Sequence, residues 1–179
     1  MKMLIVAVVV AVAVGASGAA CAQSASVEKS APASPIVLVD STGKIAARAF
    51  NETLMLITAH PAVVAPAFIQ PIYDADGRAA SGLATWASGG SVLYTSTDCT
   101  TGAHIFSSTY AGARASSQVE TPSGIFLYIG AIGTTRSASV RSILYGSGCA
   151  PVTVRQGGLV PVDMTLNLTT TYPPPLSFQ

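Results

Sequence analysis

The sequence has little charge. Only 9% of its 179 residues are Asp, Glu, Lys or Arg, and the nine basic residues nearly balance the eight acidic ones, so the net charge is +1. Surfaces that bind nucleic acid need a surplus of Lys and Arg to neutralise phosphates. The balance therefore argues against a nucleic-acid partner, and the chain has no acidic tail.

The chain also has few metal-binding or nucleophilic side chains. It contains three cysteines and two histidines, and His60 and His104 lie far apart in the sequence. Zinc sites use several such ligands at short, characteristic spacings, which are missing here. The G-x-S-x-G turn of serine hydrolases is missing too. We therefore predict no metal, no cofactor and no catalytic site.

One long apolar run is present, at residues 4–14, after Lys2 and before a segment of small residues. The run is too short to span a bilayer, and this arrangement is typical of a secretory signal. Ala20-Cys21-Ala22 fits the A-x-A cleavage pattern. We therefore predict a signal peptide over residues 1–22 and an exported mature chain that begins at Gln23.

The alternative at the N-terminus is a lipoprotein signal with an acylated Cys21. Such signals favour Leu or a similar residue three positions before the cysteine, where this chain has Gly18. The expected location is the periplasm or the cell exterior, and a lipid tether at Cys21 is the less favoured hypothesis. No other apolar run is long enough to cross a membrane.

The mature chain divides by composition into three parts. Residues 23–34 are small, polar and Pro-containing, which is typical of a flexible leader. Residues 35–170 form a single predicted domain, of a length that suits one hydrophobic core. Residues 171–179 contain Pro173-Pro174-Pro175 and are predicted to be an extended tail.

The domain is predicted to be all-β, as a small antiparallel sandwich or barrel. Its apolar runs are short and separated by turns, and none has a convincing helical period. The clearest alternation covers residues 160–168, where apolar and polar side chains take turns. Pro61, Pro66 and Pro71 punctuate one stretch, which we predict to be an edge strand or loop because proline cannot donate to a ladder.

Residues 91–110 are predicted to form a hairpin around which the domain is organised. Two apolar segments flank turn-forming residues, and Cys99 lies within this turn. After removal of the signal, Cys99 and Cys149 are the only cysteines, and an isolated pair in an oxidising compartment most simply forms a disulfide. Two free buried thiols are the alternative.

The segment Ile36-Val37-Leu38-Val39-Asp40-Ser41-Thr42-Gly43-Lys44, with the later Thr95-Ser96-Thr97-Asp98-Cys99-Thr100, resembles a domain of uncharacterised exported bacterial proteins. Those proteins have a V-D-S-x-G-K opening and an S-x-D-C-[ST]-G segment. Here Thr101 stands before Gly102, which departs from the pattern. The resemblance implies a bacterial, exported, all-β protein and no particular activity.

Three further residue groups have a functional and a structural interpretation. His60 or His104, with Asp98 near the latter, could serve a small secreted hydrolase, although ordinary histidines are the favoured interpretation. Asp74-x-Asp76-Gly77 is weakly similar to a calcium loop, but a turn explains it. The aromatic residues could form a sugar-stacking platform, although packing in the core or on the sheet surface is the favoured interpretation, namely Trp86, Tyr94, Tyr110 and Tyr128.

The sequence favours an exported, non-catalytic domain that binds a partner or contributes to an envelope or surface structure. A carbohydrate-binding module with exposed aromatic residues is the first alternative. A hydrolase that uses His60 or His104 is the second. The partner itself, protein or carbohydrate, is not specified by the sequence.

Overall fold

The computed structural model describes residues 36–108, 110, 112–146 and 148–179 of the chain. The predicted signal peptide, the leader and Cys21 therefore lie outside the described residues. The elements, in chain order, are β1 Val37–Val39, β2 Ile45–Ala49, β3 Leu54–His60, β4 Val63–Tyr73, β5 Ala79–Trp86, β6 Ser91–Tyr94, β7 Ala103–Phe106, β8 Ser116–Thr121, β9 Gly124–Gly130, β10 Arg136–Tyr145, β11 Gly148–Asn167, α1 Leu168–Thr171 and β12 Leu176–Phe178.

Six strands close into an antiparallel barrel, in the order β1-β12-β5-β4-β3-β2. Small side chains such as Ala47, Ala65 and Ala67 face the lumen beside larger ones such as Met55 and Ile57, so the interior is filled. The prediction of an all-β sandwich or barrel is therefore confirmed. In the part of the chain that the structure describes, no helix has the length and hydrophobicity needed to cross a bilayer.

The other six strands form a second sheet, in the order β10-β6-β7-β11-β9-β8. The long strand β11 pairs with β10 along its first half, with β7 in the middle and with β9 near its end. Because β10 also pairs with β6, the strands β10, β6, β7 and β11 form a closed ring. A small core of Leu93, Val140 and Leu159 lies within this part of the sheet.

The prediction for the proline-rich stretch was wrong, because β4 is a central strand of the barrel. Each proline in β4 avoids the ladder locally. The N–H of Ile69 donates to Thr53 O at 3.0 Å, so it points towards β3. Backbone nitrogens two residues apart in a strand point to the same side, so the nitrogen of Pro71 also points that way. It lies beyond the start of β3 at Leu54, where no strand of the described chain pairs with it. Pro66 faces the opposite side, where β5 no longer accompanies β4. Neither missing N–H therefore removes a ladder bond.

The prediction for the C-terminal segment was also wrong, because residues 171–179 are not a tail outside the domain. Leu176–Phe178 is the barrel strand β12, which pairs with β1 on one side and β5 on the other. Leu176 is fully buried in the barrel core. The prolines at 173–175 lie before this strand and not within it, so all three strand residues keep the N–H groups that pairing needs.

Side-chain contacts join the barrel to the second sheet along β4 and β8. The Gln118 side chain accepts a bond from Phe68 N at 2.8 Å and donates to Phe68 O at 3.0 Å, as a neighbouring strand would. Ser116 Oγ donates to Pro66 O at 2.5 Å, and Arg114 N donates to Val64 O at 2.9 Å. These bonds satisfy the backbone groups of β4 that have no partner in β5. At Pro66 only the carbonyl acceptor is available, because proline has no N–H.

Candidate functional site

The two ends of the barrel differ, and one of them is plugged. Trp86, at the end of β5, is only 1% exposed, and its Nε1–H donates to Tyr172 O at 2.9 Å. The two aromatic rings lie 6.4 Å apart between centroids. Leu168 of α1 is fully buried in the same core. We call this the plugged end, since large aromatic and aliphatic side chains are buried there.

A buried carboxylate stabilises the turn at the plugged end. Asp40 Oδ1 accepts hydrogen bonds from Thr42 N at 2.8 Å, Thr42 Oγ1 at 2.7 Å and Lys44 N at 3.0 Å. Burial by itself would raise the pKa of Asp40, but these bonds and the Lys44 charge outweigh it and hold the pKa below its ordinary value. Burial, and then the Asp40 charge, raise the pKa of the Tyr172 phenol.

The opposite end, which we call the mouth, is open and has an apolar rim. Phe178 lies opposite the fully buried Leu38, so both side chains point into the barrel. Ile36 lies two residues before Leu38 and shares this direction. Nevertheless, Ile36 is 56% exposed and Phe178 is 39% exposed. Inward-facing apolar side chains at this end thus meet solvent, because nothing in the described chain covers them.

The barrel wall is incomplete beside the mouth. β12 pairs with β5 through Leu83 and Ala84, and it ends at Phe178. Among the described strands, none accompanies residues 79–82 of β5 on this side. Backbone N–H and C=O groups at such an edge can pair with an added strand.

A bulge in β5 widens the same region. Pro71 of β4 lies opposite Ala84, whereas Tyr73 lies opposite Ala79, so β5 has extra residues between these pairs. Gly82 lies in the bulge with φ +72°, a left-handed conformation that favours glycine, and a Cβ there would meet open space. Residues 79–84, which contain the bulge, line an open cavity at the mouth.

Two adjacent cavities, of about 330 and 480 Å³, open at the mouth. The first lies between β4, the bulge of β5 and Phe178, and the second lies between Ile36, Phe50 and Phe178. Both are lined by Glu52, which is the only charged side chain among their described lining residues. The mouth is therefore a mainly apolar site with one anionic group at its rim.

The turn between β2 and β3 fixes the backbone around Glu52. Asn51 Oδ1 accepts hydrogen bonds from Thr53 N at 3.0 Å and Leu54 N at 2.8 Å. Such a bonded Asn side chain restricts the turn. Next to it, Phe50 is 57% exposed, and its ring meets Tyr110 edge-on with 6.4 Å between centroids.

The four aromatic residues considered from the sequence do not form an exposed platform, and two of them pack in the core, as the favoured interpretation has it. Trp86 and Tyr94 are buried, and burial together with the neighbouring Tyr128 raises the pKa of the Tyr94 phenol. Tyr110 and Tyr128 are both half-buried. The exposed aromatic residues are others, which sequence reasoning did not single out, namely Phe50, Phe68, Tyr73, Phe106, Tyr145 and Phe178.

The two histidines lie apart, and the structure does not join His104 to Asp98. His60 is exposed at the end of β3. His104 is buried, and its Nδ1 lies 2.7 Å from Gly102 O. Asp98 Oδ1 accepts from Thr100 Oγ1 at 2.6 Å. The hydrolase alternative would therefore need a partner for each histidine that the described contacts do not provide.

The acidic turn at Asp74 is a local hydrogen-bonded turn. Asp74 Oδ1 accepts from Asp76 N at 3.0 Å and from Arg78 N at 2.9 Å. Over the described ranges, no group of three or more His, Cys, Asp or Glu side chains is close enough to hold a metal ion.

The structure joins Cys99 and Cys149 in a disulfide, with their Cα atoms 6.0 Å apart. Cys149 lies opposite Leu144 in the β10–β11 hairpin, and Cys99 lies in the loop between β6 and β7. The bond therefore links the two hairpins at one end of the second sheet, in the arrangement that the sequence suggested.

Comparison of the chain with protein-family models, with curated proteins and with solved structures finds no match. The function therefore has to be argued from the geometry of the chain itself.

Proposed function

We propose that the chain is an exported, non-catalytic binding domain whose mouth takes up an extended peptide segment of a partner protein. The observation that carries the proposal is the contrast between the plugged end and the open, apolar mouth. Burial of apolar side chains stabilises a folded domain. Apolar side chains that face inward at the mouth but remain exposed therefore mark a surface that a partner covers.

An extended peptide suits this site because the mouth offers two kinds of contact side by side. Residues 79–82 of β5 present an edge to which a strand can add, and the two cavities can receive its alternate side chains. Glu52 at the rim favours a basic residue or another hydrogen-bond donor in the partner. We therefore expect an apolar residue close to a Lys or Arg in the bound segment.

Export and the lack of catalysis belong to the same proposal. Export is supported by the apolar run at residues 4–14 and by the disulfide, which persists in oxidising compartments. The absence of catalysis is supported by the separated histidines and by Asp98, whose described bonds are those of a turn.

Selection from a random library of displayed decapeptides tests the proposal. We expect enriched sequences to place a basic residue near an apolar one, and to bind in the micromolar range typical of short peptides, about −8 kcal/mol. Phe50→Ser and Phe178→Ser should each weaken binding about tenfold, since each removes apolar contact area. Glu52→Gln should reduce the preference for the basic residue.

Phe106→Ser is the matched control, because Phe106 is an exposed aromatic residue of β7, away from the mouth. It should bind the selected peptides as the unchanged protein does. Failure to enrich any sequence, or equal loss of binding in Phe106→Ser and Phe178→Ser, would contradict the mouth as the binding site.

A further inference from the structure

A second concave site, independent of the mouth, lies on the β10–β11 hairpin. Three of the arginines are on this hairpin, Arg136 and Arg141 on β10 and Arg155 on β11, and the sequence has no Asp or Glu from residue 121 to residue 162. The ion pair found among the described residues, Arg114 with Asp163, involves the part of β11 that pairs with β9 and not the part that pairs with β10. The paired part of the hairpin thus contributes three positive charges, whereas the rest of the chain has six basic and eight acidic residues.

A shallow cavity of about 460 Å³ lies beside these arginines. It exists because β10 pairs with β6 only from Ser142 to Tyr145, so the first half of β10 is separated from β6. Its lining residues are two arginines, four residues with hydroxyl or imidazole side chains and one alanine, namely Arg136, Arg141, Ser137, Ser139, Thr95, His104 and Ala138.

Gly102 fixes the positions of two lining residues of the cavity, Thr95 and His104. The carbonyl of Gly102 accepts from Thr95 N at 3.2 Å and from His104 Nδ1 at 2.7 Å. A carbonyl oxygen only accepts, so the Nδ1 of His104 carries a proton. Gly102 has φ +68°, and a Cβ there would collide with Thr95 Oγ1. Glycine is therefore required for Thr95 and His104 to lie together.

A buried serine next to the lining residue Arg141 joins β10 to the loop between β6 and β7. Ser142 is fully buried, and its Oγ donates to Ser96 O at 2.7 Å and accepts from Cys99 N at 3.0 Å. These bonds fix β10 to the loop that carries Cys99. The relative position of Arg141, next in sequence, and Thr95 is thereby restricted before any ligand binds, which reduces the entropy cost of binding.

We propose that this cavity binds a tetrahedral oxyanion, as free phosphate or as a phosphate monoester, through Arg136 and Arg141. Guanidinium groups bind such anions through paired N–H···O bonds, and the serine and threonine hydroxyls can supply further donors. The described residues offer neither arginine a carboxylate partner. Because the cavity is open, the organic part of a monoester can project into solvent.

NMR titration with sodium phosphate, and separately with glycerol 3-phosphate, tests the proposal at constant ionic strength. We expect saturable shifts of the Arg136 and Arg141 Nε–H signals, with a dissociation constant on the order of 1 mM. Similar constants for both ligands would indicate that the site accepts a monoester, and tighter binding of phosphate alone would indicate a site for the free ion. The double variant Arg136→Gln/Arg141→Gln should bind at least about tenfold more weakly.

The variant Arg48→Gln/Arg78→Gln is the matched control, since both residues are exposed and outside the cavity, and it loses the same total charge. Its affinity should stay within about twofold of the unchanged protein. Arg141→Lys keeps the charge but loses the paired geometry, so several-fold weaker binding is expected. Shifts that do not saturate, or equal losses in the two double variants, would overturn the proposal.

Discussion

The barrel and the second sheet bury their apolar side chains in different ways. In the barrel, one continuous core contains sixteen buried residues, to which β9 contributes Leu127 and Ile129. In the second sheet, the other buried apolar residues form two separate clusters, one of five residues and one of three. The disulfide also lies in this sheet. Large cores supply stability through apolar burial, whereas small ones commonly depend on cross-links. We therefore expect the barrel to depend on its core and the second sheet on Cys99–Cys149.

The largest effect is expected for Trp86→Ala in the plugged end. The substitution removes a fully buried ring and leaves Tyr172 O without its donor, so the free energy of unfolding should fall by about 3–5 kcal/mol. Urea unfolding measures this loss. The control Trp86→Phe keeps most of the ring contacts and should lose less. A loss below about 1 kcal/mol for Trp86→Ala would contradict a barrel that depends on its core.

The sequence predicted the strands and the disulfide better than it predicted the site. Apolar alternation and turn residues carry local information, so the all-β class, the hairpin of residues 91–110 and the strand at residues 160–168 could be found. The position of β4 in the barrel could not be predicted. Pro66 is acceptable because β5 does not pair beside it, and Pro71 because β3 does not pair beside it. That information belongs to the register between strands and not to the local sequence.

The mouth escaped prediction for a related reason. Phe178 follows three prolines, which locally indicate a tail, and only its pairing opposite Leu38 shows that it points into the barrel. Core packing is the favoured interpretation of Trp86, but its contacts could not be predicted because the neighbouring residues are small. Its burial follows from closure of the barrel around Tyr172, which lies 86 residues away in the chain. Apart from the cysteine pair, contacts between distant segments have no signal in this single sequence.

Loss of the disulfide should affect the second sheet more than the barrel. Cys99→Ser removes a link between residues 50 positions apart, so the free energy of unfolding should fall by about 2–5 kcal/mol. Hydrogen exchange followed by residue can locate the effect, and the amides of β6, β7 and β10 should lose more protection than those of β3 and β4. The unchanged protein in reductant is the control and should behave in the same way. Uniform loss of protection, or two titratable thiols in the native protein, would contradict this division of roles.

The smallest effect concerns acid, and it distinguishes the two regions by their carboxylates. Asp40 of the barrel is buried, and its pKa lies below the ordinary 3.8 because hydrogen bonds and Lys44 outweigh burial. A carboxylate whose pKa is lower in the folded state stabilises that state at pH values above its unfolded pKa. This stabilisation is lost as the pH falls from about 4 through the folded pKa. Unfolding of the barrel should therefore become easier in this range.

Asp40→Asn should flatten the acid dependence of barrel unfolding, as measured by urea midpoints between about pH 2 and pH 6. The matched control is Asp98→Asn in the second sheet. The pKa of Asp98 is also lowered, first by its hydrogen bond with Thr100, but this carboxylate is exposed at a turn. Solvent screens such exposed groups, so the control should leave barrel unfolding and its acid dependence nearly unchanged. An acid dependence that persists unchanged in Asp40→Asn would mean that other carboxylates cause it and that the charge on Asp40 does not stabilise the plugged end.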